Sequence, residues 1–289
     1  MIDIVYKKLI KEIIEFGYHK DDRTGVGSRS IVGAQIKHNM AEGFPLMTIR
    51  QVPYKTARVE LEGFIKGINS KRWYQDRGCK IWNEWCNPQK VPYKNDPETK
   101  AKMLAEDDLG IIYGNNWRTF RDPEAGMGGF STQYVDQLRN LVDELKSNPN
   151  SRRMMVYAWN PLALDYAALP ACHDSWQVIV TGNKLNLIWR QRSVDVLLGL
   201  PTNIASYATL LHLLALESGL EEGLLVGHLG DCHLYNNQFE AADIYLSRDP
   251  YELPTIQTKD FINIFDWAYD QTSVVDYQSH PRIKVDVAV

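Results

Sequence analysis

Residues 169–203 organise the rest of the chain, and they read LPACHDSWQVIVTGNKLNLIWRQRSVDVLLGLPTN. Two apolar runs, 175–181 and 184–191, are separated by Gly182-Asn183, a dipeptide typical of a tight hairpin between antiparallel strands. The same short span holds a thiol, a histidine, an arginine, a carboxylate and an amide. Together these groups indicate a covalent enzyme that acts on a small anionic molecule.

The composition is that of an ordinary globular protein. The chain has 289 residues, of which 44% are hydrophobic and 24% are charged, and this length allows one large core or two small ones. The formal net charge of −4 excludes a global attraction to nucleic acid, so an anion site has to be built locally.

The cysteines and the apolar runs set further expectations. The four cysteines form no C-x-x-C pair and no zinc-like spacing with histidine, so we expect reduced thiols and no metal. We find no signal peptide and no long apolar run, and therefore expect no membrane contact. The expected location is the cytoplasm, or a host cytoplasm if the protein is phage-encoded.

The rest of the chain mixes helical and strand patterns. Residues 86–109 are rich in proline, asparagine, lysine and acids, which indicates a surface excursion or a small subdomain. Periodic apolar residues predict helices over 2–16, 56–67, 135–145, 204–217 and 236–247, and shorter apolar runs predict strands over 29–38, 45–50, 154–159 and 224–230.

Cys172 is the candidate nucleophile. A cysteine is a good nucleophile only as the thiolate, and its free pKa near ~8.5 has to be lowered by nearby positive charge. Arg192 and His173 are the candidates for that charge. A lone buried cysteine is more often an inert small hydrophobe, and the setting between Pro170 and His173 raises Cys172 above that reading. Nothing in the sequence indicates the peptide groove of a protease.

Several other polar residues suit a nucleotide. Arg192-Ser193 supplies a charged fork and a hydroxyl, which suit a phosphate. Asn203 offers a donor and an acceptor for a pyrimidine edge. The loop that contains Arg23 reads either as a solvated turn or as a phosphate clamp. Glu60 and Glu62 lie on a predicted helix, where glutamates usually face water. The tryptophans, including Trp82 and Trp85, suit either a core or the wall of a site for a flat heterocycle.

The chain resembles the thymidylate synthase family over nearly its whole length. The matching motifs, in order, are 22–25, 81–85, 151–153, 172–173, 191–195, 203–207, 231–235 and 287–289. The resemblance implies an α/β (α+β) fold in a single domain over 1–289, with a large twisted mixed sheet flanked by helices and a sheet-to-sheet homodimer. It also implies dUMP as acceptor and 5,10-methylenetetrahydrofolate as one-carbon donor.

The resemblance also assigns roles to individual residues. Cys172 attacks C6 of the uracil, Glu60 relays protons through water, and Tyr113 and His173 form a polar network at the base of the site. Asn203 reads the uracil edge, and asparagine there favours dUMP because relatives that use dCMP have an aspartate. The phosphate is held by Arg23, Arg192 and Ser193, joined by Arg152 and Arg153 from the partner subunit. The remaining nucleotide contacts are Gln191, His233 and Tyr235, and the folate contacts are Trp82, Trp85, Asp195, Leu198, Gly199, Thr202 and Ala288.

Four positions depart from the usual pattern of the family and are the candidates for determining the product. Ala171 replaces a proline before the nucleophile, Thr202 replaces a phenylalanine before Asn203, and Glu62-Gly63 replace a Leu-Trp pair. Hydride from folate would give dTMP, whereas addition of water would give 5-hydroxymethyl-dUMP. Thr202 makes the folate-facing wall smaller and wetter, and Glu62 resembles a glutamate of phage-type hydroxymethylases.

The sequence therefore favours a dUMP hydroxymethylase, with thymidylate synthase as the alternative. The tryptophans, His173 and the apolar tail resemble the methylating enzymes and support that alternative. A reading from another class is a catalytically silent relative that binds a nucleotide or RNA. The presence of the nucleophile, the proton relay and the phosphate arginines argues against it.

Overall fold

The computed structural model describes residues 1–21, 25–124 and 133–285. Within these ranges the helices are α1 (Ile2–Phe16), α2 (Tyr54–Lys66), α3 (Lys71–Asp76), α4 (Pro97–Ala105), α5 (Tyr113–Arg118), α6 (Gln137–Ser147), α7 (Leu200–Ser218) and α8 (Phe239–Ser247). The strands are β1 (Tyr18–Lys20), β2 (Ser28–Asn39), β3 (Met155–Tyr157), β4 (His173–Thr181), β5 (Lys184–Asp195), β6 (Glu221–Tyr235), β7 (Thr255–Thr258) and β8 (Thr272–Val275).

A six-stranded mixed sheet forms the centre of the fold. Its strand order is β1-β2-β6-β5-β4-β3, and β5 and β6 run parallel while the other neighbours are antiparallel. The predicted hairpin is present, because β4 turns into β5 at Gly182, whose φ of +63° suits glycine. The expectation of a large mixed sheet flanked by helices is confirmed.

Helix α7 covers one face of this sheet. It connects β5 to β6, and nearly every side chain from Leu200 to Ala215 is buried, as the continuous apolar sequence predicts. The helix ends at Gly219, whose φ of +69° closes the last turn. No helix among the described residues is both long enough and apolar enough to cross a membrane.

The opposite face of the sheet is more open. Met155, Tyr157 and Ile179 project from β3 and β4, and their side chains are exposed by 37%, 44% and 36% respectively. Alternating residues of a strand point to opposite faces, so these side chains lie on the side of the sheet away from buried Val156 and Val178.

Two segments differ from the sequence prediction or refine it. Residues 45–50 were predicted as a strand, but they form irregular structure, because the carboxylate of Asp3 accepts the backbone N–H groups of Thr48 and Ile49 at 2.9 and 3.1 Å. The excursion at 86–109 contains α4, whose N-terminus is capped by the side chain of Asp96. Asp108 accepts the side-chain amide of Asn87 at the start of the excursion and that of Asn69 outside it, which ties both ends of the excursion to the domain.

Candidate active site

Gly114 allows α2 and α5 to pack close together. A Cβ on Gly114 would lie 2.8 Å from the Cα of Phe64, so only glycine permits this approach. The ring of Phe64 stacks on Tyr113 with a centroid distance of 4.8 Å. This packing places Glu60 on α2 and Tyr113 on α5 beside the loop that leads into β4.

The nucleophile loop is held from two sides. The hydroxyl of Tyr113 accepts the backbone N–H of Cys172 at 2.8 Å, and the carbonyl of Cys172 accepts the backbone N–H of Arg192 at 2.8 Å. The guanidinium of Arg192 donates to the carbonyls of Ala171 and Pro170 at 2.9 and 3.0 Å. The sulfur of Cys172 is therefore fixed beside Arg192 by backbone contacts on both sides.

The electrostatics of Cys172 differ from the expectation. Burial raises the pKa of the thiol above its usual value, and the charge of Arg192 and the hydroxyl of Tyr113 oppose this rise without reversing it. His173 was expected to contribute positive charge, which is wrong. Its burial lowers its pKa to about 3, so the imidazole is neutral at physiological pH. Arg192 is thus the cation that favours the thiolate.

His173 belongs to a stacked aromatic column instead. Its ring lies on Tyr113 with a centroid distance of 4.1 Å, and its Nδ1 is 2.9 Å from the hydroxyl of Tyr207 on α7. Tyr207 stacks in turn on Trp189 of β5 at 5.4 Å. The column links the nucleophile loop to α7, and sequence reasoning assigned no role to Tyr207, because only the fold brings it beside His173.

Glu60 is buried and does not face water as glutamates on a helix usually do. Its side chain is 7% exposed, and burial raises its pKa to about 7, with the neighbouring Trp82 side chain acting in the opposite direction. A carboxyl group with a pKa near neutrality exchanges protons readily at physiological pH. Glu60 therefore has the properties of a general acid and base.

The register between β5 and β6 gathers polar groups at the strand ends. Ser193 lies opposite Asp231, and Asp195 lies opposite His233. Asp195 is half-buried, and its carboxylate accepts the backbone N–H of Leu198 at 2.9 Å, which fixes the turn before α7. Burial raises the pKa of Asp195, with Leu198, Gln238 and His233 acting against it. Gly199 precedes α7, and Tyr235 packs edge-on against His233.

Asn203 has a fixed orientation. Its Oδ1 accepts the side-chain amide of Gln191 at 3.2 Å, and the same amide donates to the carbonyl of Ser193 at 3.1 Å. With its oxygen occupied in this way, Asn203 presents its NH₂ group as a donor to a ligand. Gln191 is thus a residue that orients Asn203.

The predicted phosphate residues fall in different places. Arg192 and Ser193 lie together on β5 beside Cys172, whereas Arg152 and Arg153 are exposed on the turn before β3 at the sheet edge. The structure therefore does not bring Arg152 and Arg153 to Cys172 within one chain. Arg23 lies outside the described residues, as does Ala288 of the predicted folate contacts.

Two tryptophans, Trp82 and Trp85, belong to the candidate folate wall. Trp82 is 3% exposed and packs edge-on against Tyr113 at 6.2 Å. Its indole nitrogen is buried beside the carboxyl group of Glu60, whose pKa it lowers, so the flat apolar surface has a polar edge. Trp85 is half-buried and stacks on Tyr93 of the excursion at 6.4 Å. This combination fits a flat heterocycle with polar edges, as the pterin of a folate is.

Comparisons with known proteins identify the family of this chain. The family model described as thymidylate synthase matches residues 4–289. The chain belongs to the thymidylate synthase family. A curated relative, the thymidylate synthase of Corynebacterium aurimucosum, is 38% identical over 289 residues, which cover 100% of this chain and 99% of that protein.

The four residues that depart from the family pattern lie in different environments. Glu62 is buried, but its carboxylate accepts Lys66 at 2.6 Å and the backbone N–H of Tyr269 at 3.0 Å. Its charge is therefore engaged on the side of α2 away from Glu60, and the expectation that it orients water in the site is not supported. Thr202 is half-buried in the first turn of α7, beside Asn203.

The other two departures affect packing. Ala171 is buried and lines a cavity of about 10 Å³, enough for one water molecule. Gly63 leaves its space to the ring of Tyr74, because a Cβ on Gly63 would lie 2.3 to 2.5 Å from atoms of that ring. Sequence reasoning missed Tyr74, as it missed Gln238, whose amide donates to Asp195 at 3.2 Å, since neither is close in sequence to its partner.

Proposed function

We propose that this protein transfers a one-carbon unit to C5 of dUMP through a covalent adduct at Cys172. The observation that carries the proposal is the convergence of the Cys172 sulfur, the Arg192 guanidinium and the Asn203 donor at the ends of β4 and β5. The 38% identity to a thymidylate synthase over the full length of the chain supports the choice of reaction.

The first step makes C5 of the pyrimidine nucleophilic. The thiol of Cys172 loses its proton to solvent, a step that Arg192 favours, and the thiolate forms a bond to C6. The electron pair of the C5–C6 double bond then moves toward O4, where the NH₂ group of Asn203 stabilises the developing charge. Glu60 exchanges protons with O4 through water, and its pKa of about 7 suits that task.

The one-carbon unit is supplied by 5,10-methylenetetrahydrofolate when it is bound. Trp82, Trp85 and Leu198 would hold its ring system, and Asp195 would accept hydrogen bonds from the pterin. These residues also exclude water from C5, and the exclusion determines which product leaves.

Asn203 selects uracil over cytosine in this proposal. Its NH₂ group donates to a carbonyl at C4 and faces an amine, another donor, if cytosine is bound. We expect Asn203→Asp to lower kcat/KM for dUMP by roughly 10²-fold and to raise the relative rate with dCMP, because the carboxyl group accepts from the amine. Steady-state kinetics with both nucleotides measure the change. Unaltered preference for dUMP in the variant would contradict this role of Asn203.

The product that we propose is dTMP, which makes the protein a thymidylate synthase. Thr202 and Glu62 are the residues that favour the hydroxymethyl product. The carboxylate of Glu62, however, is bound to Lys66 and to the backbone of Tyr269. A dUMP hydroxymethylase is the second candidate, favoured by Thr202, whose hydroxyl replaces an aromatic ring beside Asn203. Mass spectrometry of the nucleotide distinguishes the two products. The absorbance change from dihydrofolate, measured during turnover, accompanies dTMP only.

Thr202→Phe tests the influence of this wall on the product. A larger apolar side chain excludes water more completely, so any hydroxymethyl-dUMP formed by the wild type is expected to fall several-fold while dTMP rises. The matched control is Thr202→Val, which keeps the volume and removes the hydroxyl. An identical product ratio in all three proteins would show that position 202 does not determine the product.

Turnover itself is tested by release of tritium from [5-³H]dUMP in the presence of 5,10-methylenetetrahydrofolate. Both products require loss of the C5 hydrogen, so either enzyme releases tritium. A catalytically silent relative that binds only a nucleotide or RNA releases none, and that result would overturn the proposal.

We further propose that the active protein is a homodimer. Arg152 and Arg153 are exposed at the sheet edge, and Met155 and Tyr157 on the adjacent strand belong to the open sheet face, so a second copy packed there would cover this face. The partner's arginines would then complete the phosphate site. A sedimentation mass of a single chain under assay conditions would contradict this assembly.

A further inference from the structure

We propose that Tyr74 is a positioning residue, whose ring closes the back of the active site against Glu60 and Trp82 in the space that Gly63 leaves open. This inference rests on the proposed function for its kinetic consequences. The placement of the ring is independent of that function.

Gly63 and Tyr74 form a complementary pair. A Cβ on Gly63 would lie 2.3 Å from the hydroxyl oxygen of Tyr74 and 2.4 and 2.5 Å from two carbons of its ring. Any side chain at position 63 therefore has to displace the phenol, and the ring occupies the volume that such a side chain would take. Gly63 is on α2, one turn beyond Glu60, so the ring lies along the same helix as the carboxyl group.

The ring of Tyr74 is fixed rather than loosely packed. The residue is 0% exposed, and its hydroxyl donates to the carbonyl of Ile68 at 3.1 Å. Trp73 packs edge-on against it at 5.1 Å, and the carbonyl of Tyr74 accepts the backbone N–H of Cys79 at 2.9 Å. A side chain held at both ends can fix the position of its neighbours.

The neighbours of Tyr74 in the site are Trp82 and Glu60. The ring centroid of Tyr74 lies 6.5 Å from that of Trp82, which in turn packs on Tyr113, whose hydroxyl contacts Cys172. Tyr74 is also close enough to Glu60 for the carboxyl charge to raise the pKa of the phenol. Tyr74 thus lies behind both the indole of the folate wall and the proton relay.

The surroundings of Glu60 explain why this back wall affects chemistry. Tyr74, Cys79, Tyr113 and Tyr207 each interact with Glu60, and burial raises the pKa of each, so these groups are neutral near pH 7. The pKa of Glu60 near 7 consequently results from desolvation of the carboxyl group by burial, not from a neighbouring charge. Removal of the ring of Tyr74 admits water beside the carboxyl group and lowers that pKa.

The test measures the titration of Glu60 directly in the resting protein. The infrared band of the protonated carboxyl group is followed against pH, and the spectrum of Glu60→Gln is subtracted to assign it. The midpoint is expected near 7 in the wild type and in Tyr74→Phe, which keeps the ring. In Tyr74→Ala we expect the titration midpoint to fall by at least about one pH unit. We also expect the factor by which the KM for folate rises to be about ten times the factor by which kcat falls.

A reciprocal variant separates positioning from stability. In Gly63→Trp with Tyr74→Ala an indole from α2 fills the volume of the phenol, and we expect the titration midpoint and the KM to return toward wild type. Urea unfolding of every variant checks that each is folded. An unchanged midpoint in folded Tyr74→Ala, or no recovery in the folded double variant, would overturn the proposal. Because the infrared titration needs no turnover, failure of the proposed function would appear separately as an absence of tritium release in the wild type.

Discussion

Cys172→Ser is expected to abolish turnover, with a loss in kcat on the order of 10⁴-fold or more, because a serine hydroxyl is not ionised near neutral pH and Arg192 alone does not make it a nucleophile. Substrate binding should change little, since the contacts that hold this loop are made by the backbone of Cys172. Tritium release from [5-³H]dUMP measures the rate, and equilibrium dialysis measures nucleotide affinity.

Cys86→Ser is the matched control for this experiment. Cys86 is buried and lies in the excursion, where its thiol donates to the carbonyl of Val91 at 3.9 Å and, among the described residues, makes no hydrogen bond to the candidate site. We expect this variant to retain full activity. A Cys172→Ser protein that turns over as fast as Cys86→Ser would refute covalent catalysis and with it the proposed function.

Glu60→Gln is expected to reduce kcat by about 10²- to 10⁴-fold, because glutamine cannot exchange a proton with the water that serves O4. The same variant is expected to be more stable than the wild type at pH 8. Burial raises the pKa of Glu60 from 4.5 to about 7, so ionisation is less favourable in the folded than in the unfolded chain. The contribution of Glu60 to the free energy of unfolding is therefore most favourable below pH 4.5, falls as the pH rises to about 7, and remains reduced above it. The reduction is about 3 kcal/mol.

Two measurements and one control examine this prediction. Urea unfolding at pH 5 and pH 8 gives the free energy of unfolding, and the stabilisation by Glu60→Gln should be larger at pH 8. Glu62→Gln is the control, since Glu62 is equally buried on α2 but is paired with Lys66. If Glu60→Gln and Glu62→Gln lowered kcat to the same extent, Glu60 would have no special role in proton transfer.

The sequence was sufficient for the features whose partners are close in the chain or carried by motifs. The hairpin at Gly182, the helices over 2–16 and 204–217 and the cluster around Cys172 all follow from local patterns. The sheet order and the parallel pairing of β5 with β6 do not follow from periodicity, and the resemblance implied only a large twisted mixed sheet.

Other features depend on tertiary contacts that a local pattern does not contain. Residues 45–50 have the apolar content of a strand, yet Asp3 takes the amide groups that a neighbouring strand would need. Glu60 and Glu62 read as surface glutamates, and their burial is evident only when α2 is packed against α5, α7 and the segment at Tyr269. The neutrality of His173 has the same origin, because its pKa depends on the layers around it.

The parallel register of β5 and β6 has a consequence for how this protein tolerates insertions and deletions. Ser193 and Asp195 face Asp231 and His233 through that register alone, and α7 forms the whole connection between the two strands. Loss of one residue from either strand would turn every following side chain of that strand to the other face of the sheet. The nucleotide contacts would then be separated together. Length variants should therefore be recovered from the surface excursion at 86–109 and hardly ever from the two central strands.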